Sequence, residues 1–213
     1  MYPLPLLTLP PLLVLEAHLH NNYMPKVVNF NDGSDDEFEK PGVVNANAIQ
    51  KQRESLPMYQ SRLDVVHEIL SNDVTIIVGE TGSGKSTQLP QAILESNANQ
   101  NIVVSQPRRV AAISLAQRVS NESSTSLGQK VGYNVRFDAK VSKYTKIRYV
   151  TDGMLLREFI LDPLLSRYTT VIVDEAHERT LTSDLVLGLL KKLLKVRNIR
   201  LKNEHDRFRV VVM

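Results

Sequence analysis

The 213-residue sequence contains no cysteine. Disulfides, thiolate zinc sites and cysteine nucleophiles are therefore excluded, and the absence fits an intracellular protein without requiring one. A strong excess of either charge is also missing: 26 Lys and Arg stand against 23 Asp and Glu, a formal net charge of +3. That mild basicity permits contact with nucleic acid but, taken alone, describes an ordinary soluble domain. No internal repeat is visible, and no unbroken apolar run has membrane-spanning length. The most apolar stretch, 2–15, is interrupted by Pro3, Pro5, Pro10 and Pro11. Prolines remove backbone donors and clash with a helix, and the stretch falls short of the roughly 20 residues that a spanning helix needs. No Lys or Arg precedes it, as a signal peptide would require. It reads as a disordered extension, or as the product of an early start codon with Met24 as the true start; a targeting segment is the remaining reading. No membrane partner is expected.

What is present is enough hydrophobic sequence, 42% of residues, to build a core. It is unevenly placed. Residues 29–50 are polar and acidic, with Asp32, Asp35, Asp36, Glu37 and Glu39 among Asn, Gly and Pro. Little there can bury surface, so 1–52 is expected to be a disordered extension and acidic linker, with a folded domain over 53–213. From Arg53 the pattern changes. Tyr59, Leu63, Val66, Ile69 and Leu70 recur at helical spacing and predict an amphipathic helix starting near Pro57. Short β-branched runs then alternate with helical stretches: 74–78, 102–105, 147–150, 171–174 and 210–213, with a further strand or turn around 131–137. Apolar strands alternating with helices predict an α/β, three-layer domain with a mostly parallel sheet.

Gly79-Glu80-Thr81-Gly82-Ser83-Gly84-Lys85-Ser86 satisfies the phosphate-loop pattern in full. A predicted strand runs into it and a helical segment, 86–95, leaves it. Glycines let the backbone take positive φ and approach a ligand closely, and successive N–H groups at a helix N-terminus form an anion nest. Lys85 is expected to reach the β- and γ-phosphates of ATP, and the Ser86 hydroxyl to sit on Mg²⁺; Thr81 and Thr87 are secondary candidates. Further on, the apolar run 171–173 ends in Asp174-Glu175-Ala176-His177. Ligands of parallel sheets bind beyond the carboxyl ends of the strands. Asp174 is therefore expected to hold Mg²⁺, through water, and Glu175 to orient and deprotonate the attacking water. His177 would link the site to a neighbouring segment.

Together with Gln106-Pro107-Arg108-Arg109-Val110-Ala111-Ala112 and Thr151-Asp152-Gly153-Met154-Leu155, these strings resemble motifs I, Ia, Ib and II of the DEAH-box RNA helicases, in order and spacing, over about 53–213. DEAD-box relatives carry Asp where His177 stands. The stretches 109–116 and 131–138 look most like the nucleolar, ribosome-biogenesis branch, with the splicing branch close. The resemblance implies a RecA-like motor domain, ATP and Mg²⁺, single-stranded RNA as partner, a nuclear location that is nucleolar on the branch reading, and room for an activating protein. It implies that Arg108 and Arg109 of motif Ia and Thr151 of motif Ib contact the RNA backbone. Arg136-Phe137 resembles the family's hook turn, also an RNA contact. Arg118 matches the arginine that stacks on the nucleotide base, a contact expected to read a flat π face with weak base selectivity. Without the motifs, Arg108 and Arg109 would merely solvate a loop, and Thr151-Asp152 would be a helix N-cap, which it is expected to be as well.

Two features temper these expectations. The charged stretch 191–209 carries eight Lys or Arg against Glu204 and Asp206; it reads as the solvated face of a helix and loop rather than an RNA patch. Leu185, Leu189, Leu190 and Leu193 read as core. The sequence ends at Met213, where the resemblance implies a Ser-Ala-Thr motif next, then a second RecA-like domain with further arginines, and winged-helix, ratchet and OB-fold parts. Loss of such arginines costs on the order of 10³–10⁵ in phosphoryl-transfer rate. The chain alone is therefore expected to bind ATP weakly, hydrolyse it poorly and not unwind a duplex. A non-catalytic nucleotide- or RNA-binding module, or a fragment of a splicing helicase, are the alternative readings.

Overall fold

Each β-branched run singled out above becomes a strand. The computed structural model describes residues 26–30, 46–200 and 207–213. Its strands are β1 (Lys26–Phe30), β2 (Val74–Gly79), β3 (Ile102–Gln106), β4 (Val131–Val135), β5 (Asp138–Lys140), β6 (Ile147–Thr151), β7 (Thr170–Val173) and β8 (Arg209–Val212). They form one sheet in the order β1-β2-β8-β7-β3-β6-β4-β5. All neighbours are parallel except the hairpin pair β4 and β5. The helices are α1 (Ala46–Ser55), α2 (Pro57–Gln60), α3 (Arg62–Ser71), α4 (Lys85–Ser96), α5 (Arg109–Glu122), α6 (Asp152–Leu161) and α7 (Leu181–Arg200).

Successive strand residues point to opposite faces, and here both faces are covered. On one, Ile102 and Val104 join Ile77, Ile147 and Ile172 beneath Ile69, Leu89, Ile93, Ala116 and Val119 from α3, α4 and α5. On the other, Val103 joins Val150, Val171, Val173 and Val210 beneath Leu155, Phe159, Val186, Leu190 and Leu193 from α6 and α7. Two-sided burial is why these strands are apolar without alternation. The architecture is the three-layer α/β arrangement expected.

Several expectations need correction. Parts of 1–52 are structured: β1 adds main-chain pairing to the otherwise free edge of β2, from Lys26 opposite Thr75 to Phe30 opposite Gly79, and α1 begins at Ala46. An open strand edge readily accepts another strand, and α1 is tied down by Arg53, only 9% exposed. The apolar stretch 2–15 and the acidic run 32–39 lie outside the described residues. The helix predicted from Pro57 breaks at Ser61 into α2 and α3, leaving Leu63 on the solvent side. Leu185 is exposed, and the next residue, Val186, takes the core position. In 191–209, Lys191, Lys192 and Lys195 are solvated as expected, but three arginines are structural. Arg197 donates to the carbonyls of Leu165 and Tyr168 at 3.1 and 2.8 Å. Arg207 pairs with Asp73 at 2.6 Å, and Arg209 donates to the Leu70 carbonyl at 3.1 Å. Residues 201–206 lie outside the described residues.

The hairpin is sensitive to one atom. A Cβ on Gly132 would lie 2.2 Å from the Lys140 carbonyl oxygen, a main-chain atom of the paired strand. Gly132→Ala is expected to destabilise the domain by about 2 kcal/mol and to lower Tm by roughly 4–8 °C. An unchanged melting curve would contradict the close approach.

Candidate active site

The loops that carry the sequence motifs all leave the carboxyl ends of β2, β3, β6 and β7, the edge where parallel sheets bind ligands. After β2 the chain turns through Gly82 at φ +86° and Gly84 at φ +90°, conformations costly for residues bearing a Cβ. Gly84 has a second reason: a Cβ there would meet Leu56 Cδ1 at 3.0 Å. Helix α4 starts at Lys85, so its first N–H groups face the loop without intrahelical acceptors. Lys85 Nζ donates to the carbonyls of Gly79 and Glu80 at 2.5 and 2.7 Å and to Ser83 Oγ at 3.3 Å. Burial lowers its pKa, opposed by the carboxylates of Asp174, Glu175 and Glu80. Glu80 and Thr81 are exposed. Thr87 is turned inward, donating to the Gly84 carbonyl at 3.3 Å.

Pro90 lies inside α4 and has no N–H to offer the carbonyl four residues earlier. That carbonyl belongs to Ser86, and the Tyr149 hydroxyl from β6 donates to it at 2.8 Å. Tyr149 is wholly buried, and burial first, then Asp174 and Glu122, pushes its pKa well above the ordinary tyrosine value. The start of the phosphate helix is thus pinned to the sheet through a side chain that the motif pattern does not include.

Asp174 is 2% exposed. One carboxylate oxygen accepts the Glu175 N–H at 2.9 Å and the other accepts from the Gln106 amide at the end of β3. Glu175 is held at φ +53°, an outlier of the kind that clusters at functional sites. Its carboxylate is 40% exposed and 3.4 Å from His177 Nε2, and the Ala176 N–H donates to the Met213 carbonyl at 2.9 Å. Beside it, buried Asp152 accepts from Ser105 Oγ, while its second oxygen has no partner. Burial raises the Asp152 pKa, the Ser105 bond opposes this, and Glu178 and Asp174 raise it further. Among the described residues no group of three or more His, Asp or Glu is arranged to hold a metal unaided. One hydroxyl and one carboxylate suit Mg²⁺, which keeps waters and takes phosphate oxygens. The loop fits a phosphate: Lys85 donates only to uncharged oxygens, and Gly82 has open space around its missing Cβ.

The remaining residues of interest lie around this edge. Thr151 stands at the N-cap of α6 but makes no side-chain cap bond, unlike the cap expected. Arg108 Nη2 pairs with Glu178 at 2.9 Å and is 75% exposed. Arg109 lies 3.9 Å from Asp138. Arg136 stacks on Phe137, 4.8 Å from its centroid, at a hairpin tip where Phe137 takes φ +65° and is 91% exposed. Arg118 is half-exposed and donates to Glu122 at 2.9 Å.

Residues 59–207, well over half of the chain, match the family model described as DEAD/DEAH box helicase. The chain belongs to the DEAD/DEAH box helicase family. It is 46% identical over 187 residues to a Saccharomyces cerevisiae protein named probable ATP-dependent RNA helicase DHR2, covering 80% of this chain and 25% of that one. Over 152 residues it is 51% identical to the Homo sapiens ATP-dependent RNA helicase DHX33, covering 70% and 22%. It is 50% identical over 153 residues to an Arabidopsis thaliana protein named pre-mRNA-splicing factor ATP-dependent RNA helicase DEAH10, covering 70% and 21%. The chain spans about a quarter of the length of these curated relatives. No described helix is long and apolar enough to cross a membrane. Sequence reasoning gave no role to Tyr149, Ser105 or Glu122 and quoted Gln106 only as part of a motif; apart from Arg118, one helical turn before Glu122, their side-chain partners lie tens of residues away.

Proposed function

We propose that this domain is the first motor domain of a DEAH-box ATP-dependent RNA helicase, which couples ATP hydrolysis to the remodelling of RNA. The observation that carries the reading is that Lys85, at the end of the phosphate loop, has Asp174 and Glu175 as its principal charged neighbours. Phosphate binding and water activation then share one sheet edge. In this reading the main chain of Gly79 to Ser86 cradles the phosphates, with Lys85 on the β- and γ-phosphates. Ser86, and Asp174 through water, would hold Mg²⁺, which when bound would neutralise charge on the phosphate oxygens. Glu175 accepts the proton of the attacking water. His177, in reach of Glu175, links it to a neighbouring segment. Thr87 and Gln106 position these groups, Arg118 stacks on the base, and a second RecA-like domain completes the site.

RNA lies, in the same reading, across Arg108, Arg109, Thr151 and Arg136. All three arginine side chains stand near one edge, and phosphate contacts need no sequence code. The pathway reading is ribosomal RNA processing in the nucleolus, supported by the character of 109–116 and 131–138; an activating protein is a further partner. The relative named a pre-mRNA-splicing factor keeps splicing as the second reading. The RNA contacts are tested by titrating single-stranded RNA at several salt concentrations. Arg109→Ala and Arg136→Ala are each expected to weaken binding uniformly across sequences and to reduce the salt slope by about one. An unchanged slope in both variants would remove these arginines from the interface.

A further inference from the structure

Behind α4 lies a charged network of which the proposed nucleotide site uses only Arg118 and Thr87. Its centre is Glu122, whose side chain is 2% exposed. One carboxylate oxygen accepts from the Gln88 and Gln91 amides of α4 at 2.9 and 2.8 Å, with Arg53 Nε of α1 at 3.6 Å. The other accepts from Arg118 Nε at 2.9 Å. Arg53 in turn donates to Gln88 Oε1 at 3.1 Å, and the Gln88 amide also reaches Thr87 Oγ1 at 3.0 Å. The far end of Arg118 is 3.3 Å from Gln52 Oε1. Glu122 is the last residue of α5, at the negative end of its dipole, where an acid is disfavoured. Burying it there is costly unless donors surround it. A buried carboxylate in an unfavourable position, saturated by donors from three helices, is best understood by what it holds in place.

We propose that Glu122 is the positioning residue for the nucleotide base: it fixes the Arg118 guanidinium as a platform at a set distance from the phosphate loop. The proposal rests on the reading of Arg118 as the base-stacking group. Planar guanidinium stacking depends on orientation, and an unrestrained arginine loses rotamer freedom on stacking. Holding Nε on Glu122 removes part of that cost, and because the bond lies at the guanidinium edge it covers neither face of a side chain that is 40% exposed. Because Glu122 also grips Gln88 and Gln91, the platform and the first turns of α4 move as one body. Base and phosphates are then held at a fixed spacing, and Glu122 selects for a nucleoside polyphosphate over a bare polyphosphate.

The test measures two competitors of a fluorescent ADP analogue on the 213-residue chain: ADP, and inorganic tripolyphosphate, which has no base. Arg118→Ala and Glu122→Gln are each expected to lower the preference for ADP over tripolyphosphate by about three- to tenfold. The double variant should lose no more preference than Arg118→Ala alone, because the two residues act as a unit. Glu122→Asp, which keeps the charge but draws it back, should lose an intermediate amount, and it decides the matter by the same ratio if Glu122→Gln does not fold. Equal weakening of both ligands by the Glu122 variants would mean a merely structural role and overturn the proposal. So would an unchanged ratio in those variants when Arg118→Ala lowers it. An unchanged ratio in Arg118→Ala would remove the base-stacking reading, and this proposal with it.

Discussion

In a protein that joins this domain to a second RecA-like domain, replacing Glu175 by Gln is expected to lower RNA-stimulated ATP hydrolysis about 10²–10⁴-fold while leaving ATP affinity nearly unchanged. The argument is one of chemistry at constant shape. A glutamine side chain fills the same volume but cannot take a proton from water. Glu175 is exposed enough, at 40% of its side chain, that the fold does not depend on its charge. The strained φ of +53° is a property of the strand-to-turn junction and is imposed equally on Gln. Asp174, which accepts the 175 main-chain N–H, keeps its geometry. Affinity is read by nucleotide competition and turnover by phosphate release under saturating ATP and RNA. A fall in affinity equal to the fall in rate would place Glu175 in ground-state binding instead. A rate within a factor of a few of the unsubstituted protein would reassign the base altogether.

The strands were legible because burial on both sheet faces forces continuous apolar runs, so 102–105 and 171–173 needed no partner information to be read. The phosphate loop was legible for a different reason. Backbone geometry at Gly82 and Gly84 restricts the residue types directly, and the result is a contiguous string. The same local logic failed where the determinant lies elsewhere in the chain. β1 exists because β2 offers an edge, and α1 is held by Arg53 reaching Gln88, 35 residues away. Leu185 and Val186 are adjacent and similarly apolar, and only the face that α7 turns toward the sheet decides which is buried. The arginines of 191–209 read as a solvated run because charge alone does not reveal that Arg197 caps the carbonyls of Leu165 and Tyr168. In the site, Gln106 was inside a quoted motif, yet its contact with Asp174 requires knowing that β3 and β7 are neighbours. The motifs therefore singled out candidate residues, and the sheet order conveyed how they touch.

Lys85→Ala is expected to have the opposite signature to Glu175→Gln, removing binding and hydrolysis together. Ground-state affinity for ATP should fall about 10- to 100-fold, the scale of lost hydrogen bonds to a charged group. The hydrolytic step should lose on the order of a further 10²–10³, the effect of deleting one donor aimed at developing charge. Among the described residues that face the loop, Lys85 is the cation whose ammonium already lies on the Gly79 and Glu80 carbonyls, while the principal charged groups acting on it are acids. Removing it would leave bound phosphates beside Asp174, Glu175 and Glu80, the carboxylates that act on Lys85. Stability without nucleotide should change little, because the freed carbonyls sit at a loop that water can reach. Nucleotide-dependent stabilisation, read as the rise in Tm on adding ATP and Mg²⁺, should disappear. A normal Tm rise in Lys85→Ala would mean that the main-chain nest of α4 holds the phosphates without the lysine, and would take Lys85 out of the binding site.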